Sequence, residues 1–212
     1  MKKLTVAALA VTTLLSGSAF AHEAGEFFMR AGSATVRPTE GAGGTLGSLG
    51  GFSVTNNTQL GLTFTYMATD NIGVELLAAT PFRHKIGTRA TGDIATVHHL
   101  PPTLMAQWYF DDASSKFRPY VGAGINYTTF FDNGFNDHGK EAGLSDLSLK
   151  DSWGAAGQVG VDYLINRDWL VNMSVWYMDI DTTANYKLGG AQQHDSVRLD
   201  PWVFMFSAGY RF

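Results

Sequence analysis

The sequence has 212 residues, with 15 basic and 19 acidic side chains and no cysteine. The lack of cysteine excludes disulfides and thiolate metal sites, and the acidic balance argues against a nucleic-acid partner. No segment after residue 21 is a long uninterrupted apolar run, which excludes transmembrane helices. Glycine (24 residues) and aromatic side chains (13%) are abundant instead. With short alternating segments, this composition is typical of a membrane β-barrel.

The first 21 residues, MKKLTVAALAVTTLLSGSAFA, are predicted to be a cleaved secretory signal peptide. Two lysines precede an apolar stretch that ends at Leu15, and small residues flank Phe20 as they do at cleavage sites. The apolar run is shorter than the about 20 residues that a retained membrane anchor needs. The mature domain is therefore predicted to cover residues 22–212. Its net charge is -6, because 13 basic side chains (15 less the two lysines) face 19 acidic ones.

Eight segments of the mature chain alternate between apolar and small or polar residues, as half-buried β-strands do. Their apolar phases cover 27–31, 60–66, 72–78, 100–110, 121–127, 153–163, 169–177 and 202–212. The even number suits a closed bacterial barrel. The fold class predicted is therefore an all-β, eight-stranded antiparallel transmembrane β-barrel of the bacterial outer membrane. A soluble barrel would place the apolar phase inside and would gain nothing from aromatic girdles.

The connections between these segments alternate in length. Those at 69–71, 111–116 and 165–168 are short, whereas those at 38–57, 87–97, 132–150 and 184–196 are longer and polar. In bacterial barrels short turns face the periplasm and long loops face outside. Six aromatic residues lie beside the short turns and predict a periplasmic girdle: Trp108, Phe110, Tyr163, Trp169, Tyr210 and Phe212. Trp153 and Trp202 are expected near the opposite interface.

Several stretches resemble the OmpW family of outer-membrane proteins over the whole chain. They are the signal peptide, GEFFMRAG at 25–32, HHLPPTLMAQWYF at 98–110, FRPYVGAGINYT at 117–128 and AGYRF at 208–212. The resemblance implies an eight-stranded barrel that takes up small hydrophobic molecules. Expected partners are outer-membrane lipid, small hydrophobic solutes and the outer-membrane assembly machinery, which would contact the C-terminal strand ending at Phe212. No cofactor is expected.

The strand phase places four charged residues in the lumen near the periplasmic strand ends, namely Arg30, Glu75, Asp162 and Arg211. Burial favours mutual pairing of two cations with two carboxylates. The four are predicted to form one coupled cluster that plugs the periplasmic end.

Leu77, Met105 and Trp176 are predicted to form an apolar layer near mid-height of the lumen. Eight strands enclose a space that side chains can fill. The layer can therefore be interpreted either as ordinary core packing or as a hydrophobic constriction of a channel. Gly122, Gly160 and other inward glycines indicate room in the lumen, which favours the constriction.

Pro81, Pro101 and Pro102 are predicted at similar heights on adjacent strands, where each lacks a backbone donor. The weak pairing could provide a lateral exit into lipid. Alternatively, these prolines only mark where the hydrogen bonding between the strands ends, near the rim of the barrel.

Two further motifs carry weaker signals. GAGGTLGSLGG at 41–51 lacks the lysine and flanking elements of a phosphate loop and is predicted to be a mobile external loop. His84, His98 and His99 could cluster at the outer rim, but no carboxylate accompanies them at ligand spacing, so no metal site is predicted.

Three function classes remain open. The first is a narrow channel for small hydrophobic molecules. The second is a structural or adhesive barrel whose loops form a recognition surface, for instance for a phage or bacteriocin; it predicts a filled lumen. The third is a lipid-modifying enzyme using His84 with Ser48 or Ser53, although no recognisable catalytic spacing links these residues and the chain is predicted not to be an enzyme.

Overall fold

The computed structural model describes residues 22–48, 50–89, 91–110 and 114–212. The predicted signal peptide, residues 1–21, lies outside the described residues. The strands are β1 (Phe27–Arg37), β2 (Gly41–Ala42), β3 (Ser53–Val54), β4 (Asn57–Met67), β5 (Ile72–Ala79), β6 (Phe82–Thr88), β7 (Gly92–Leu100), β8 (Thr103–Tyr109), β9 (Phe117–Phe135), β10 (Leu144–Leu149), β11 (Ser152–Leu164), β12 (Trp169–Met178), β13 (Asp181–Leu188), β14 (Ala191–Arg198) and β15 (Trp202–Arg211). Two short helices are α1 (Gly44–Ser48) and α2 (Asp137–Glu141).

Eight antiparallel strands close into a barrel, which confirms the predicted fold class. The order is β11-β12-β15-β1-β4-β5-β8-β9, and β9 pairs back with β11 to close the ring. The last strand pairs with the first, with Arg30 opposite Gly209 and Arg37 opposite Trp202. Closure leaves no strand edge in the bilayer, where an unpaired backbone group would have no water to bind.

Side-chain exposure follows the predicted alternation. Leu104 is 47% exposed on the outer face of β8, whereas its neighbours Thr103 and Met105 are buried inside the barrel. The same alternation holds along β12, where Met173 is 49% exposed between the buried Asn172 and Ser174. The apolar phase therefore faces the membrane and the mixed phase faces the lumen.

Aromatic side chains band the outer surface at two heights. At the short-turn end the Trp169 and Tyr210 ring centroids lie 5.1 Å apart, and Tyr210 and Phe212 also lie 5.1 Å apart. At the other end Tyr127 packs against Trp153 at 4.7 Å and Tyr177 against Trp202 at 5.3 Å. These bands mark the two interfaces of the bilayer.

The external connections are more ordered than predicted. Strands β6 and β7 pair as one hairpin, and β13 and β14 pair as a second hairpin, which also pairs with β10 and β2. The segment at 41–51, predicted to be a mobile loop, contains α1 instead. Polar composition alone suggested loops, but cross-strand pairing extends the barrel wall beyond the membrane.

Helices play little part in this architecture. None of the helices in the described ranges is long and apolar enough to cross a bilayer.

Buried apolar side chains form two separate clusters. The larger runs from Leu77 and Met105 up to the external segments, where it includes Leu46 and Ile94. The smaller lies near the short turns and consists of Phe28, Met67, Tyr109, Tyr120, Leu164 and Leu170.

Candidate functional site: the barrel lumen

Arg30 is the centre of a charged layer at the periplasmic end of the lumen. Its side chain is buried, and its guanidinium pairs with both Glu75 and Asp162. Nε donates to Asp162 Oδ1 at 3.1 Å, and Nη2 donates to the Tyr109 hydroxyl at 2.8 Å. One cation thus bridges two buried carboxylates in the fork geometry that guanidinium groups favour.

Neutral donors complete the hydrogen bonding of both carboxylates. Glu75 Oε1 accepts from Gln107 Nε2 at 2.8 Å and from Gln158 Nε2 at 2.9 Å. Asp162 Oδ1 accepts from Asn172 Nδ2 at 2.7 Å. A buried charge is tolerated when its remaining lone pairs are bonded in this way, so the layer forms a rigid floor.

Arg211 lies outside this group. Its guanidinium pairs with Glu26, which precedes β1, and not with Glu75 or Asp162. The reason is local, because Arg211 sits at the end of β15 opposite Phe28, where the N-terminal segment folds across the rim. His22 lies between the two groups, with Nε2 2.9 Å from Asp162 Oδ2 and Nδ1 3.6 Å from Glu26 Oε1. His22 and Glu26 therefore connect Arg211 to the cluster.

Arg118 is the second fully buried cation of the floor. Its Nη2 donates to the Asp70 carbonyl oxygen at 2.7 Å, and its guanidinium lies 5.6 Å from the Tyr109 ring centroid. Tyr109 in turn packs against Tyr120 with centroids 4.8 Å apart. The strand phase of β9 places Arg118 inward, so its position could have been predicted from the sequence.

The predicted constriction residues lie together in the larger apolar cluster. Leu77, Met105 and Trp176 are all buried, and Trp176 is only 1% exposed. The indole Nε1 of Trp176 donates to Ser174 Oγ at 3.1 Å. Met205 belongs to the same cluster and reaches the space beside Gly61.

The inward glycines do not leave the room that was expected. A Cβ on Gly160 would lie 2.5 Å from the Tyr120 ring, and one on Gly122 would lie 2.9 Å from Gln158 Oε1. Larger side chains from neighbouring strands fill those spaces. The expectation of empty volume was therefore wrong, since a residue's own size does not reveal what a neighbouring strand projects over it.

The three prolines lie at a break in the barrel wall. Pairing of β5 with β8 ends at Leu77 opposite Thr103, and pairing of β6 with β7 begins at Phe82 opposite His99. Residues 78–81 therefore face residues 100–102, four against three, as in a β-bulge. Pro81 and Pro102 are exposed, whereas Pro101 is buried.

The strand pairs on either side of this seam keep their backbone hydrogen bonds. On the side of β4, the Thr80 amide still donates to the Leu60 carbonyl at 3.0 Å. On the side of β9, the Tyr127 amide donates to the Pro102 carbonyl at 3.0 Å. Toward the lumen, Asn126 Nδ2 donates to Thr103 Oγ1 at 2.8 Å just below the gap.

His84 and His99 meet above the outer aromatic girdle, whereas His98 is half-exposed and packs on Phe131. The Nε2 atoms of His84 and His99 are 2.9 Å apart, and His84 Nδ1 lies 2.5 Å from the Thr55 carbonyl oxygen. Because a carbonyl only accepts, His84 Nδ1 is the protonated nitrogen and His99 Nε2 donates to His84 Nε2. Burial lowers the pKa of both imidazoles, that of His99 to about 3, which keeps the pair neutral.

The serines considered for hydrolysis do not form a catalytic pair with His84. His84 Nδ1 contacts the Thr55 carbonyl oxygen, and His84 Nε2 contacts His99. Ser48 Oγ donates to the Thr45 carbonyl at 2.7 Å. A nucleophile needs a base within hydrogen-bond reach, so these contacts do not favour the enzymatic reading.

Comparisons with known proteins identify the family. The OmpW family model matches residues 23–212. The chain belongs to the OmpW family. It is 88% identical over 212 residues to outer membrane protein W of Salmonella typhi, with full coverage of both chains.

Solved structures of similar outer-membrane proteins agree with the fold. The crystal structure of OprG from Pseudomonas aeruginosa matches with a TM-score of 0.83 at 42% identity, covering 92% of this chain and 99% of that one. The solution NMR structure of outer membrane protein W from E. coli matches at 99% identity with a TM-score of 0.63, covering 90% of this chain and all of that one. These relatives place the protein in the bacterial outer membrane, as predicted, and are named as membrane proteins.

Proposed function

We propose that this OmpW-family barrel is a narrow channel that takes up small hydrophobic molecules from outside and releases them sideways into the membrane. The observation that carries the proposal is the division of the lumen. Apolar side chains are continuous from the external segments down to Leu77, Met105 and Trp176, and the charged floor around Arg30 lies beneath them.

An apolar solute would contact apolar side chains in the upper lumen, which is the part of the lumen from Leu77, Met105 and Trp176 outward. It would meet charged and polar groups in the floor around Arg30. Passage through the floor would require the breaking of buried ion pairs, which is costly because the separated charges would be left unpaired. Repacking of apolar side chains costs much less when their volume is conserved. The upper lumen is therefore the part that can open transiently.

The proposed exit is the seam at Pro81, Pro101 and Pro102. It lies above the floor, at the height of the aromatic band that contains Tyr127 and Trp153. This height follows because the Pro102 carbonyl accepts from the Tyr127 amide. Where the wall has no cross-strand hydrogen bonds, the two strands can part without the breaking of such bonds, which would be costly in lipid. A solute could thus reach the outer part of the bilayer without crossing to the periplasm.

The name of a similar protein supports the class of solute. A protein of Pseudomonas aeruginosa, 27% identical over 166 residues, is named as a dibenzothiophene metabolism operon protein PahQ. Dibenzothiophene is an apolar aromatic compound, which is the chemistry that the upper lumen would accept. Contact of the strand ending at Phe212 with the assembly machinery stays a prediction.

The test uses vesicles whose outer leaflet is lipopolysaccharide, since an ordinary bilayer is no barrier to apolar solutes. Entry of N-phenyl-1-naphthylamine is followed by its fluorescence in lipid. We expect the wild-type protein to accelerate entry, Trp176→Asp to slow it and the double variant Pro101→Ala, Pro102→Ala to slow it by restoring donors at the seam. Pro119→Ala, on β9 near the periplasmic end, is the matched control and should leave the rate unchanged.

Entry no faster than in protein-free vesicles would overturn the proposal. The filled spaces beside Gly122 and Gly160 would then favour the second candidate, a structural barrel that offers its external segments as a recognition surface.

A further inference from the structure

The sheet formed by β10, β13, β14 and β2 carries a polar groove outside the lumen. Its volume is about 600 Å³, and its lining comes from β2, β13, β14 and the segment that joins β10 to β11. The lining includes two cations, Lys150 and Arg198, and two carboxylates, Asp151 and Asp181. Three residues with hydroxyl groups lie among them. This concentration of donors and acceptors is typical of a site for a polar ligand.

Strand pairing arranges the groove in two rows. In the row nearer the membrane Gly41 lies opposite Arg198, which in turn lies opposite Asp181. In the next row Ser196 lies opposite Thr183. Residues directly opposite each other on antiparallel strands project from the same face, and Arg198 and Ser196 are exposed, so both rows face outward. A Cβ on Gly41 would have no atom within 4 Å, which leaves this end of the groove open.

The groove extends outward from the outer aromatic band. Its carboxylate at Asp151 accepts from the hydroxyl of Tyr127, a member of that band, at 2.6 Å. Asp181 follows Tyr177, another member, by four residues. Four residues of extended chain tilted by about 40° rise by roughly 10 Å. Because aromatic bands mark the boundary of the hydrocarbon core, the groove lies in the headgroup layer of the outer leaflet.

Both cations of the groove retain donors for a ligand. The Lys150 ammonium forms no ion pair with any residue that the structure describes. Its backbone amide donates to the Thr183 carbonyl at 3.2 Å, which anchors Lys150 beside the second row. The Arg198 side chain is 67% exposed, and its Nε lies 3.7 Å from Asp181 and 3.5 Å from Asp200, beyond the length of a hydrogen bond. Ammonium and guanidinium groups in this state are suitable donors to phosphate.

We propose that this groove binds the phosphorylated sugar headgroup of a glycolipid in the outer leaflet. Lys150 and Arg198 donate to the phosphate. The hydroxyls of Thr183 and Ser196 and the carboxylate of Asp181 bind the sugar hydroxyls, which both donate and accept hydrogen bonds. The occupant is a membrane lipid because the groove lies at the height where headgroups are already concentrated. This site lies outside the lumen, and its occupation does not depend on the uptake of a solute.

Amide NMR of the protein in phosphatidylcholine nanodiscs tests the site, with lipid A as the probe. We expect saturable shifts at Gly43 and Ser196, whose backbones pair across the groove at 2.9 Å, as the fraction of lipid A rises. Gly139 in α2 is the control amide and should not shift. Phosphatidylglycerol, which is anionic but carries no sugar, should cause only small linear changes at the same total charge. Equal saturable shifts with phosphatidylglycerol would overturn recognition of the sugar.

Soluble glucosamine 1-phosphate separates the two sources of the same chemistry. It lacks the acyl chains that concentrate lipid A in the membrane, so we expect it to shift the Gly43 amide only at much higher concentration. Saturation by the soluble compound while lipid A causes no shift would overturn the assignment to a membrane lipid.

Loss of the free cation should weaken binding. We expect Lys150→Ala to raise the apparent dissociation constant for lipid A about tenfold, because a charge-assisted contact is lost. Lys187→Ala is the matched control, since the Lys187 ammonium lies farther along β13 and already pairs with Asp146 at 2.8 Å. An equal change in the two variants would remove Lys150 from the site.

Filling the groove is an independent test. Gly41→Trp adds a side chain on the open face beside Arg198 and should abolish the lipid A shifts at Gly43. Gly134→Trp, at an equally open glycine of β9, is the matched control and should leave them unchanged. Unshifted amides of β1 verify that each variant keeps the barrel. Full lipid A binding by Gly41→Trp would overturn the groove as the site.

Discussion

At the periplasmic end of the lumen, one guanidinium bridges two carboxylates, and the carboxylate oxygens also accept from amide side chains. Above it, Leu77, Met105 and Trp176 pack through apolar contacts, with a single hydrogen bond from the indole to Ser174 in this group. Hydrogen bonds and ion pairs require particular distances and directions, whereas apolar contacts depend mainly on volume. We therefore expect the floor to hold a single arrangement and the apolar layer above it to tolerate changes that conserve its volume.

The largest expected effect comes from removal of the cation in the floor. Arg30→Met leaves Glu75 and Asp162 buried without their shared partner, and we expect a loss of about 3–5 kcal/mol in the free energy of unfolding. Arg211→Met is the control, because Arg211 pairs with Glu26 at the rim and should cost less. Urea unfolding in lipid vesicles measures both. Equal losses for the two variants would mean that the ion pairs of the floor contribute no more to stability than the Arg211–Glu26 pair at the rim.

The apolar layer should respond to volume more than to chemical detail. Met105→Leu keeps most of the volume and should cost less than about 1.5 kcal/mol, whereas Met105→Ala should cost about 2–5 kcal/mol. The same unfolding assay provides both values. A large cost for Met105→Leu would show that the apolar layer is as sensitive to side-chain shape as the floor is, and the proposed difference between the two regions would be wrong.

A smaller effect should appear with pH in the external hairpin β6–β7. His99 has a pKa of about 3 in the fold against an ordinary value of 6.5, so below pH 6.5 the unfolded segment binds protons that the folded one does not. Stability is full above pH 6.5 and is lost as the pH falls toward 3. Between pH 7.5 and 5.5 one such histidine should cost about 1.4 kcal/mol.

Amide hydrogen exchange at Val97 should report this loss, while Met29 in β1 serves as the control. The variant His99→Phe removes one of the two titrating groups and should reduce the pH dependence of exchange at Val97 after correction for the intrinsic rate, and the remaining dependence is expected from His84, whose pKa burial also lowers. A pH-dependent stability loss of undiminished size in this variant would assign the effect to another group.

The faces of the strands follow from the sequence, but the contacts in the lumen do not. Alternation correctly placed Arg30, Glu75 and Asp162 inside the barrel, and the same phase applied to β8 and β9 gives Tyr109, Tyr120 and Arg118. Nothing in the sequence indicated that His22 and Glu26 would fold over the rim, since they precede the first strand. Arg211 was consequently assigned to the wrong carboxylates.

The sequence by itself determined the number of strands, their direction and the face that meets lipid, because lipid requires an apolar residue at every second position of a closed sheet. The tertiary structure decided which inward residues share a height, because this depends on the stagger between strands around the ring. Arg30 thus meets Asp162 from 132 positions away, and Tyr120 occupies the space beside Gly160. The seam at Pro81 and Pro101 combines both sources. Proline removes the donors locally, whereas the one-residue mismatch between the facing strands arises only when the barrel closes.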